Sequence, residues 1–338
     1  ISFSVDNDHL RGRLKSLVRN IDPAFDLLRL AVNAPRLDPD AIERVRSQMV
    51  AGLKRDAKDP DELASRAWRR AAFPGHPYAR AARGELDTLQ AISRDDLLAM
   101  RAKVMTRSDL KIAAVGAINA TRLAEALDAV FGDLPTEQRL SPVPNVTLGG
   151  LGNSTVVDVD VPQATIRFGL PGIERHDPDF PAAIVVNHIL GGGVFSARLF
   201  KEVREKRGLA YSVYSQLSSL AYSALFFGGT STKNERAAES LAVIEGEIEK
   251  LATEGPTEEE LDKALKYLIG SYALRFDTST KIAANLVQLQ IEGFDVDYLD
   301  ERNKLIAAVT LDDAKRVARR LFAGKKLMVT VAGRPQGM

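Results

Sequence analysis

The chain of 338 residues has no cysteine, a single tryptophan and few aromatic residues, 6% in all. The lack of cysteine excludes disulfide bonds and zinc sites built from thiolates, although it is compatible with any compartment. No apolar run reaches the ~18 residues of a membrane-spanning helix; the nearest, 182–190, is interrupted by Asn187 and His188. A net charge of +1 argues against nucleic-acid binding, which takes a clustered basic surface. What remains is a soluble globular protein, long enough for about two domains.

Two distant stretches of the sequence repeat the same pattern. Residues 91–116 and 308–333 each contain an N-cap residue, a helical pattern, an apolar strand pattern and a glycine. The predicted N-caps are Ser93 and Thr310, which are followed by aspartates where the positive end of a helix favours negative charge. The repeat predicts two similar domains in tandem.

The same repeat predicts where the domains begin and end. A second pair, 41–50 and 260–269, recurs at a nearly equal offset, which makes residue 1 correspond to a position near Leu220. The first domain then has no counterpart of 155–219, so we expect it to be incomplete at its N-terminus. The predicted parts, in chain order, are a first domain 1–136, a linker 137–154 rich in proline and glycine, and a second domain 155–338.

The mixture of strand and helix patterns predicts an α+β fold, with an antiparallel-rich mixed β-sheet covered by helices in each domain. In the second domain the predicted elements are strands 154–161 and 164–170, a buried helix 182–190, an amphipathic helix 196–206, strands 209–217 and 221–228, and helices 235–252 and 257–276. We expect the glycines after 182–190 to end that helix in left-handed geometry, and Gly208 to form a tight turn.

Arg204 and Tyr211 are the first candidate functional residues. Arg204 lies near the end of a predicted helix and Tyr211 near the start of the next strand, with Gly208 between them, so both side chains are expected at one place. An arginine fork and a phenol are suitable donors for a carbonyl oxygen that gains negative charge during peptide hydrolysis. The alternative is that Arg204 forms a surface ion pair with Glu202 or Glu205 while Tyr211 packs at a strand edge.

The run that contains this pair, 190–213, resembles the second-domain signature of the pitrilysin/insulinase family of zinc peptidases, which share the fold of mitochondrial processing peptidase. The resemblance implies that Arg204 and Tyr211 grip the substrate peptide beside the zinc and act in catalysis. It also implies substrate contacts along the glycine-rich turn, at Gly192, Gly193 and Phe195.

The zinc half of such a site is not found in the sequence. Catalytic domains of the family carry H-x-x-E-H on a helix and a glutamate downstream as third ligand. The histidines do not have this spacing: they are His9, His76, His176 and His188. By resemblance, the stretch 53–62 places Gly52, or as the less favoured alternative Ala51, where the third ligand belongs, and neither residue can bind zinc. We interpret His188 as a core residue and His76 as part of a loop, and expect no metal ligand and no cofactor in this chain.

The resemblance therefore implies a zinc-less, non-catalytic subunit of a heterodimeric zinc metalloendopeptidase, inactive alone. Its partner would be a homologous subunit with H-x-x-E-H and bound zinc, and its substrates peptides. Two alternatives stay open: a scaffold subunit like the core proteins of the bc1 complex, and a self-sufficient zinc peptidase whose metal motif lies upstream of residue 1. The presence of both Arg204 and Tyr211 favours the peptidase subunit, and resemblance to tandem bacterial members favours the periplasm over the cytoplasm.

Overall fold

The computed structural model describes residues 1–338, apart from the side chain of Val194. The α-helices are α1 Ile21–Asn33, α2 Pro39–Asp56, α3 Pro60–Ala72, α4 Leu86–Ala91, α5 Arg94–Val104, α6 Ala120–Phe131, α7 Phe180–Asn187, α8 Ala237–Thr253, α9 Glu258–Gly270, α10 Ser279–Ile291, α11 Tyr298–Ala307 and α12 Leu311–Phe322. The strands are β1 Ser2–Val5, β2 Leu10–Arg13, β3 Ser154–Asp158, β4 Gln163–Pro171, β5 Ala210–Leu220, β6 Ser223–Lys233 and β7 Met328–Gly333. None of the described helices combines the length and apolar composition needed to cross a bilayer.

The chain folds into two compact units that alternate along the sequence. The first consists of residues 1–53, 82–142 and 273–298, and the second of residues 54–81, 143–272 and 299–338. In the first unit β1 and β2 form an antiparallel hairpin, and Leu28 and Val32 of α1 pack with Val130 of α6 in a small core. The units are defined by contacts and not by sequence similarity, so the division of the chain at 137–154 stays a prediction.

The second unit is built on a mixed sheet of five strands in the order β3-β7-β4-β6-β5. β3 and β7 run parallel, and the other neighbouring pairs are antiparallel. This confirms the α+β class and the antiparallel-rich mixed sheet predicted for this region. The predicted strands 209–217 and 221–228 form the hairpin of β5 and β6.

Helices cover both faces of this sheet. Successive residues of a strand point to opposite faces, and Ile166, Phe168 and Leu170 of β4 are fully buried in the core that includes residues of α7, α8 and α12. On the opposite face, the indole of Trp68 in α3 lies so close to Gly169 that a Cβ there would be 2.6 Å from the ring. The aromatic cluster around Trp68 and the larger core thus enclose the sheet from two sides.

The predicted N-caps are confirmed at both helices of the repeat. Ser93 Oγ accepts a hydrogen bond from the backbone N of Asp96, and Thr310 Oγ1 accepts one from the backbone N of Asp313, each at 3.1 Å. In both helices the aspartate also accepts a hydrogen bond from the backbone N of its capping residue. These reciprocal bonds satisfy backbone donors that a helix start otherwise leaves unpaired.

The strand predicted at 110–116 is not formed, and the first unit contains no mixed sheet within the described residues. A strand requires neighbours for its backbone hydrogen bonds. β7, the counterpart of 110–116 in the repeat, has β3 and β4 on its two sides, whereas 110–116 pairs with neither strand of the β1–β2 hairpin. The end of the segment is nevertheless similar: φ is +147° at Gly116 and +143° at Gly333, a region that favours glycine.

The two helices predicted at 182–190 and 196–206 are each interrupted. The first changes at Asn187 into a π-helical turn, His188–Gly192. The second is replaced by a 3-10 turn, Val194–Ser196, and a π-helical turn, Phe200–Glu205. The prediction that the glycines end this helix in left-handed geometry is wrong, since φ of Gly193 is −86°. Close packing explains this turn instead, because a Cβ on Gly191 would lie 2.6 Å from the backbone N of Ser215 in β5.

Candidate functional site

The structure brings Arg204 and Tyr211 together. The Arg204 Cζ lies 4.5 Å from the centre of the Tyr211 ring and 4.8 Å from the centre of the Phe200 ring. Phe195 meets Phe200 edge-on, with ring centres 5.1 Å apart and an interplanar angle of 80°. We call these four residues, Phe195, Phe200, Arg204 and Tyr211, the Arg204 stack.

Local backbone geometry accounts for this arrangement. Phe200 and Arg204 are four residues apart on one helical turn, a spacing that places two side chains on the same side. Gly208 then reverses the chain with a φ of +59°, as predicted, and its backbone N donates to the Arg204 carbonyl oxygen at 3.0 Å. The chain returns as β5, and the ring of Tyr211 at the start of that strand also contacts the guanidinium.

The stack is open to solvent, with Tyr211 82% exposed and Arg204 half-buried. The alternative ion pair between Arg204 and Glu202 is not formed, because Lys206 and Arg207 bind the Glu202 carboxylate at 2.6 and 2.5 Å. Hydrogen bonds from these two cations lower the pKa of Glu202. Within the described part of the chain the Arg204 guanidinium takes part in ring contacts and in no ion pair.

Such a stack presents hydrogen-bond donors without a nucleophile or a general base. A guanidinium that lies over ring faces still directs its N–H groups in its own plane, and cation–π contacts at exposed sites contribute about 0.5–1 kcal/mol toward holding it there. The Tyr211 hydroxyl adds a second exposed donor. The arrangement can therefore bind a carbonyl oxygen and stabilise negative charge on it, but it cannot hydrolyse a peptide by itself.

The glycine turn lies directly before the stack in the chain. Gly192 is exposed and Gly193 partly exposed. A Cβ on Gly193 would lie 2.8 Å from both the His188 carbonyl oxygen and the Ser196 Oγ, so the turn needs glycine there for packing alone. The substrate contacts of Gly192, Gly193 and Phe195 stay predictions.

The two buried histidines are structural. His188 is 7% exposed, and its ring stacks on Tyr267 of α9 with ring centres 4.9 Å apart. His76 is also 7% exposed, its Nε2 lies 3.0 Å from the Pro144 carbonyl oxygen, and its Nδ1 accepts a hydrogen bond from the backbone N of Tyr78. The interpretation of His188 as a core residue and His76 as part of a loop is confirmed.

Burial lowers the pKa of His188 below its ordinary value of 6.5, which predicts a pH-dependent stability. The unfolded chain then binds the proton more readily than the folded chain, so the contribution of His188 is fully present above about pH 6.5 and is lost as the pH falls toward the depressed folded value. We expect His188→Gln to reduce the loss of unfolding free energy between about pH 7.5 and about pH 5.5, as measured by urea denaturation at both values. An equal loss in the variant and the unaltered chain would contradict this expectation.

The described residues do not fit a zinc ion. No group of three or more histidine, aspartate or glutamate side chains among them could hold a metal. Gly52, at the position expected for the third ligand, is a buried residue of α2 and has no side-chain donor. His188 is covered by the Tyr267 ring, and the residue four positions before it is Ile184.

One member of the stack was not identified from the sequence. Phe200 is 4% exposed, and its contact with Arg204 makes it part of the site. The spacing of four residues between Phe200 and Arg204 is the signal that could have revealed this contact. Tyr267 carries no comparable signal, because its contact with His188 joins distant parts of the chain.

Residues 91–268 match the family model described as the peptidase M16 inactive domain. The chain is 31% identical over 283 residues to a Helicobacter pylori protein named non-peptidase homolog YmxG, an alignment covering 82% of this chain and 65% of that protein. It is 28% identical over 316 residues to an uncharacterized zinc protease of Streptomyces coelicolor. This alignment covers 92% of this chain and 68% of that protein. The chain thus spans about two thirds of the length of these relatives.

Solved structures of similar fold include the crystal structure of a peptidase M16 inactive domain from Pseudomonas fluorescens. It has a TM-score of 0.86 and 28% identity, covering 95% of this chain and 76% of that one. A chain of the complex III2 structure from Candida albicans has a TM-score of 0.77 at 16% identity. The match covers 94% of this chain and 78% of that one. The second likeness concerns the fold alone.

Proposed function

Because this chain belongs to the M16 family of zinc peptidases, through a match to the family's inactive domain, we propose that it is a zinc-less member acting in peptide cleavage together with a zinc-bearing homologue. In this proposal Arg204 and Tyr211 bind the substrate peptide and stabilise the transition state at the partner's zinc site. The chain alone is inactive.

The observation that carries the proposal is the Arg204 stack. Two hydrogen-bond donors, the guanidinium of Arg204 and the hydroxyl of Tyr211, are held within one stack, and the Tyr211 side chain is 82% exposed. A fully buried charge is normally paired, and the half-buried Arg204 takes part in no ion pair within the described residues. The neighbouring carboxylate of Glu202 is instead bound by Lys206 and Arg207, which leaves Arg204 available for a ligand.

A zinc-bearing partner is proposed because the stack has donors but no group that activates water. A bound zinc would supply an activated water and polarise the carbonyl, and the residues of this chain described above do not fit that ion. The name of the Helicobacter relative, non-peptidase homolog, agrees with a member that does not cleave peptides alone. The periplasmic location stays a prediction.

Two alternatives remain as outcomes of experiment. A scaffold role has in its favour the fold shared with a chain of complex III2, but a scaffold gives no reason for the Arg204 and Tyr211 donors to be held together. A self-sufficient zinc peptidase agrees with the name of the Streptomyces relative, and it requires metal ligands beyond those described.

We also propose that residues 1–136 and 155–338 are two copies of one domain. Support comes from local geometry: reciprocal capping bonds occur at Ser93 and Thr310, and the glycines that end the two repeats, Gly116 and Gly333, have nearly equal φ. Equivalent backbone at equivalent positions is expected of homologous domains and is not required by a chance sequence similarity.

Assembly and metal content test the proposal without an activity assay. We expect sedimentation of this chain mixed with a homologue from the same organism that carries H-x-x-E-H to show a stable complex at micromolar concentration. Metal analysis should find zinc on the homologue and none bound stoichiometrically to this chain. Independent monomers in the mixture, or one tightly bound zinc on this chain, would count against the proposal.

A further inference from the structure

A largely buried ion pair anchors the segment that leads to Arg204. The Arg198 side chain donates from Nε to Glu260 Oε1 and from Nη2 to Glu260 Oε2, both at 2.7 Å, and Nη2 also donates to the Gly255 carbonyl oxygen at 3.0 Å. The two side chains are 11% and 26% exposed. A bidentate contact of this kind fixes orientation as well as distance.

The acceptor of this pair is itself fixed. Glu260 Oε2 accepts a hydrogen bond from the backbone N of Thr257 at 2.9 Å, and the Glu260 backbone N donates to Thr257 Oγ1 at 3.1 Å. These bonds form the capping box at the start of α9. Burial acts to raise the pKa of Glu260, but the bonds from Arg198 and Thr257 outweigh it and the pKa is lowered. The Glu260 carboxylate is therefore charged at neutral pH, and its ion pair fixes Arg198 to the N-terminus of α9.

The direction of Arg204 depends on how the intervening turn is wound. The Lys201 backbone N donates to the Ala197 carbonyl oxygen, an α-helical bond, whereas the Lys206 backbone N donates to the Lys201 carbonyl oxygen, a π-helical bond. A π turn contains an extra residue, so it changes the direction of the side chains after it relative to those before it. The core holds this turn through Val203, which is fully buried. Arg198 lies two residues before the start of this turn and is held by Glu260.

We propose that Arg198 and Glu260 are positioning residues that hold Arg204 between Phe200 and Tyr211. They tie the chain just before the π turn Phe200–Glu205 to α9, and this tie sets the direction in which the guanidinium of Arg204 emerges. Their effect on cleavage rests on the proposed function, whereas their effect on the geometry of the stack does not.

Arginine side-chain NMR tests the geometry directly. Rings that face a guanidinium shift its Nε–H resonance, so Arg204, assigned by comparison with Arg204→Ala, should be displaced from the range of exposed arginines. Removing one partner of a buried pair leaves an unpaired charge that can prevent folding, so the test variant is the double replacement Arg198→Met with Glu260→Leu, which removes both charges. We expect the Arg204 resonance to move into the exposed range in this variant.

A matched control is available in the same unit. Arg320 donates to Asp177 Oδ1 and Oδ2 at 2.9 and 2.6 Å and to Asp179 Oδ2 at 2.6 Å, an arginine–carboxylate contact that does not involve the Arg204 turn. Arg320→Met should leave the Arg204 resonance unchanged. A displaced Arg204 resonance retained in the Arg198→Met, Glu260→Leu variant would overturn the positioning role.

Cleavage by the assembled complex separates this inference from the proposed function. We expect the double variant to lower kcat/KM about 10-fold or more through kcat, because a misplacement of about 1 Å can cost ~100-fold. If Arg204→Ala leaves cleavage unchanged while the double variant moves the Arg204 resonance, the proposed function fails and the positioning role stands. If Arg204→Ala impairs cleavage and the double variant changes neither resonance nor kcat, the positioning role fails alone.

Discussion

Arg204→Ala is expected to lower kcat/KM of the assembled peptidase about 100-fold, and Tyr211→Phe is expected to have an effect of the same order. Removing one donor to a developing oxyanion costs roughly 3 kcal/mol, and the loss should appear in kcat as well as in kcat/KM. The measurement is cleavage of a fluorogenic peptide by complexes that size-exclusion chromatography has shown to be intact. Zinc content per complex should be the same as without the substitution.

Two further variants define what Arg204 contributes. Arg204→Lys should restore little activity, because an ammonium group cannot reproduce the planar fork or stack between the Phe200 and Tyr211 rings. Lys201→Ala removes an exposed cation from the same turn and should leave the rate nearly unchanged. Full activity in both Arg204→Ala and Tyr211→Phe would mean that the pair is structural and that the chain acts as a scaffold.

Phe226→Ala should lower the free energy of unfolding of the second unit by about 3–5 kcal/mol. Phe226 is fully buried, with ring contacts to Phe322 at 4.9 Å and Phe168 at 6.4 Å between centres, so its removal leaves a cavity between the sheet and α12. Urea denaturation followed by the fluorescence of Trp68 measures this unit, because the only tryptophan of the chain packs on its sheet.

The matched control for this substitution is another phenylalanine of the same unit. Phe195 is 70% exposed and makes an edge-on ring contact with Phe200, so Phe195→Ala should change the unfolding free energy by about 1 kcal/mol or less. Equal losses in Phe195→Ala and Phe226→Ala would contradict the layered core derived for this unit.

Features governed by local rules could be predicted from the sequence. Ser93 and Thr310 cap helices because their side chains accept from the backbone three residues later, a purely local contact. The closeness of Arg204 and Tyr211 follows from a helical turn, a left-handed glycine at Gly208 and a strand within eight positions of chain. The hairpin of β5 and β6 is local for the same reason.

Features decided by distant contacts could not be predicted. The π turn His188–Gly192 lies where Gly191 packs against Ser215 of β5, so its hydrogen-bond register depends on tertiary structure. The apolar pattern of 110–116 resembles a strand, but a strand forms only beside a neighbour. Arg198 and Glu260 meet across the fold, and no spacing in the sequence relates them.

The most direct test of the central claim is a peptide-cleavage assay on this chain, on its zinc-bearing homologue and on their mixture, at equal concentrations. We expect negligible cleavage by this chain, little by the homologue, and a rate in the mixture that saturates at one chain per homologue and falls about 100-fold with Arg204→Ala. A homologue that cleaves as fast alone as in the mixture, or a mixture whose rate is indifferent to Arg204, would contradict a role for this chain in the active site.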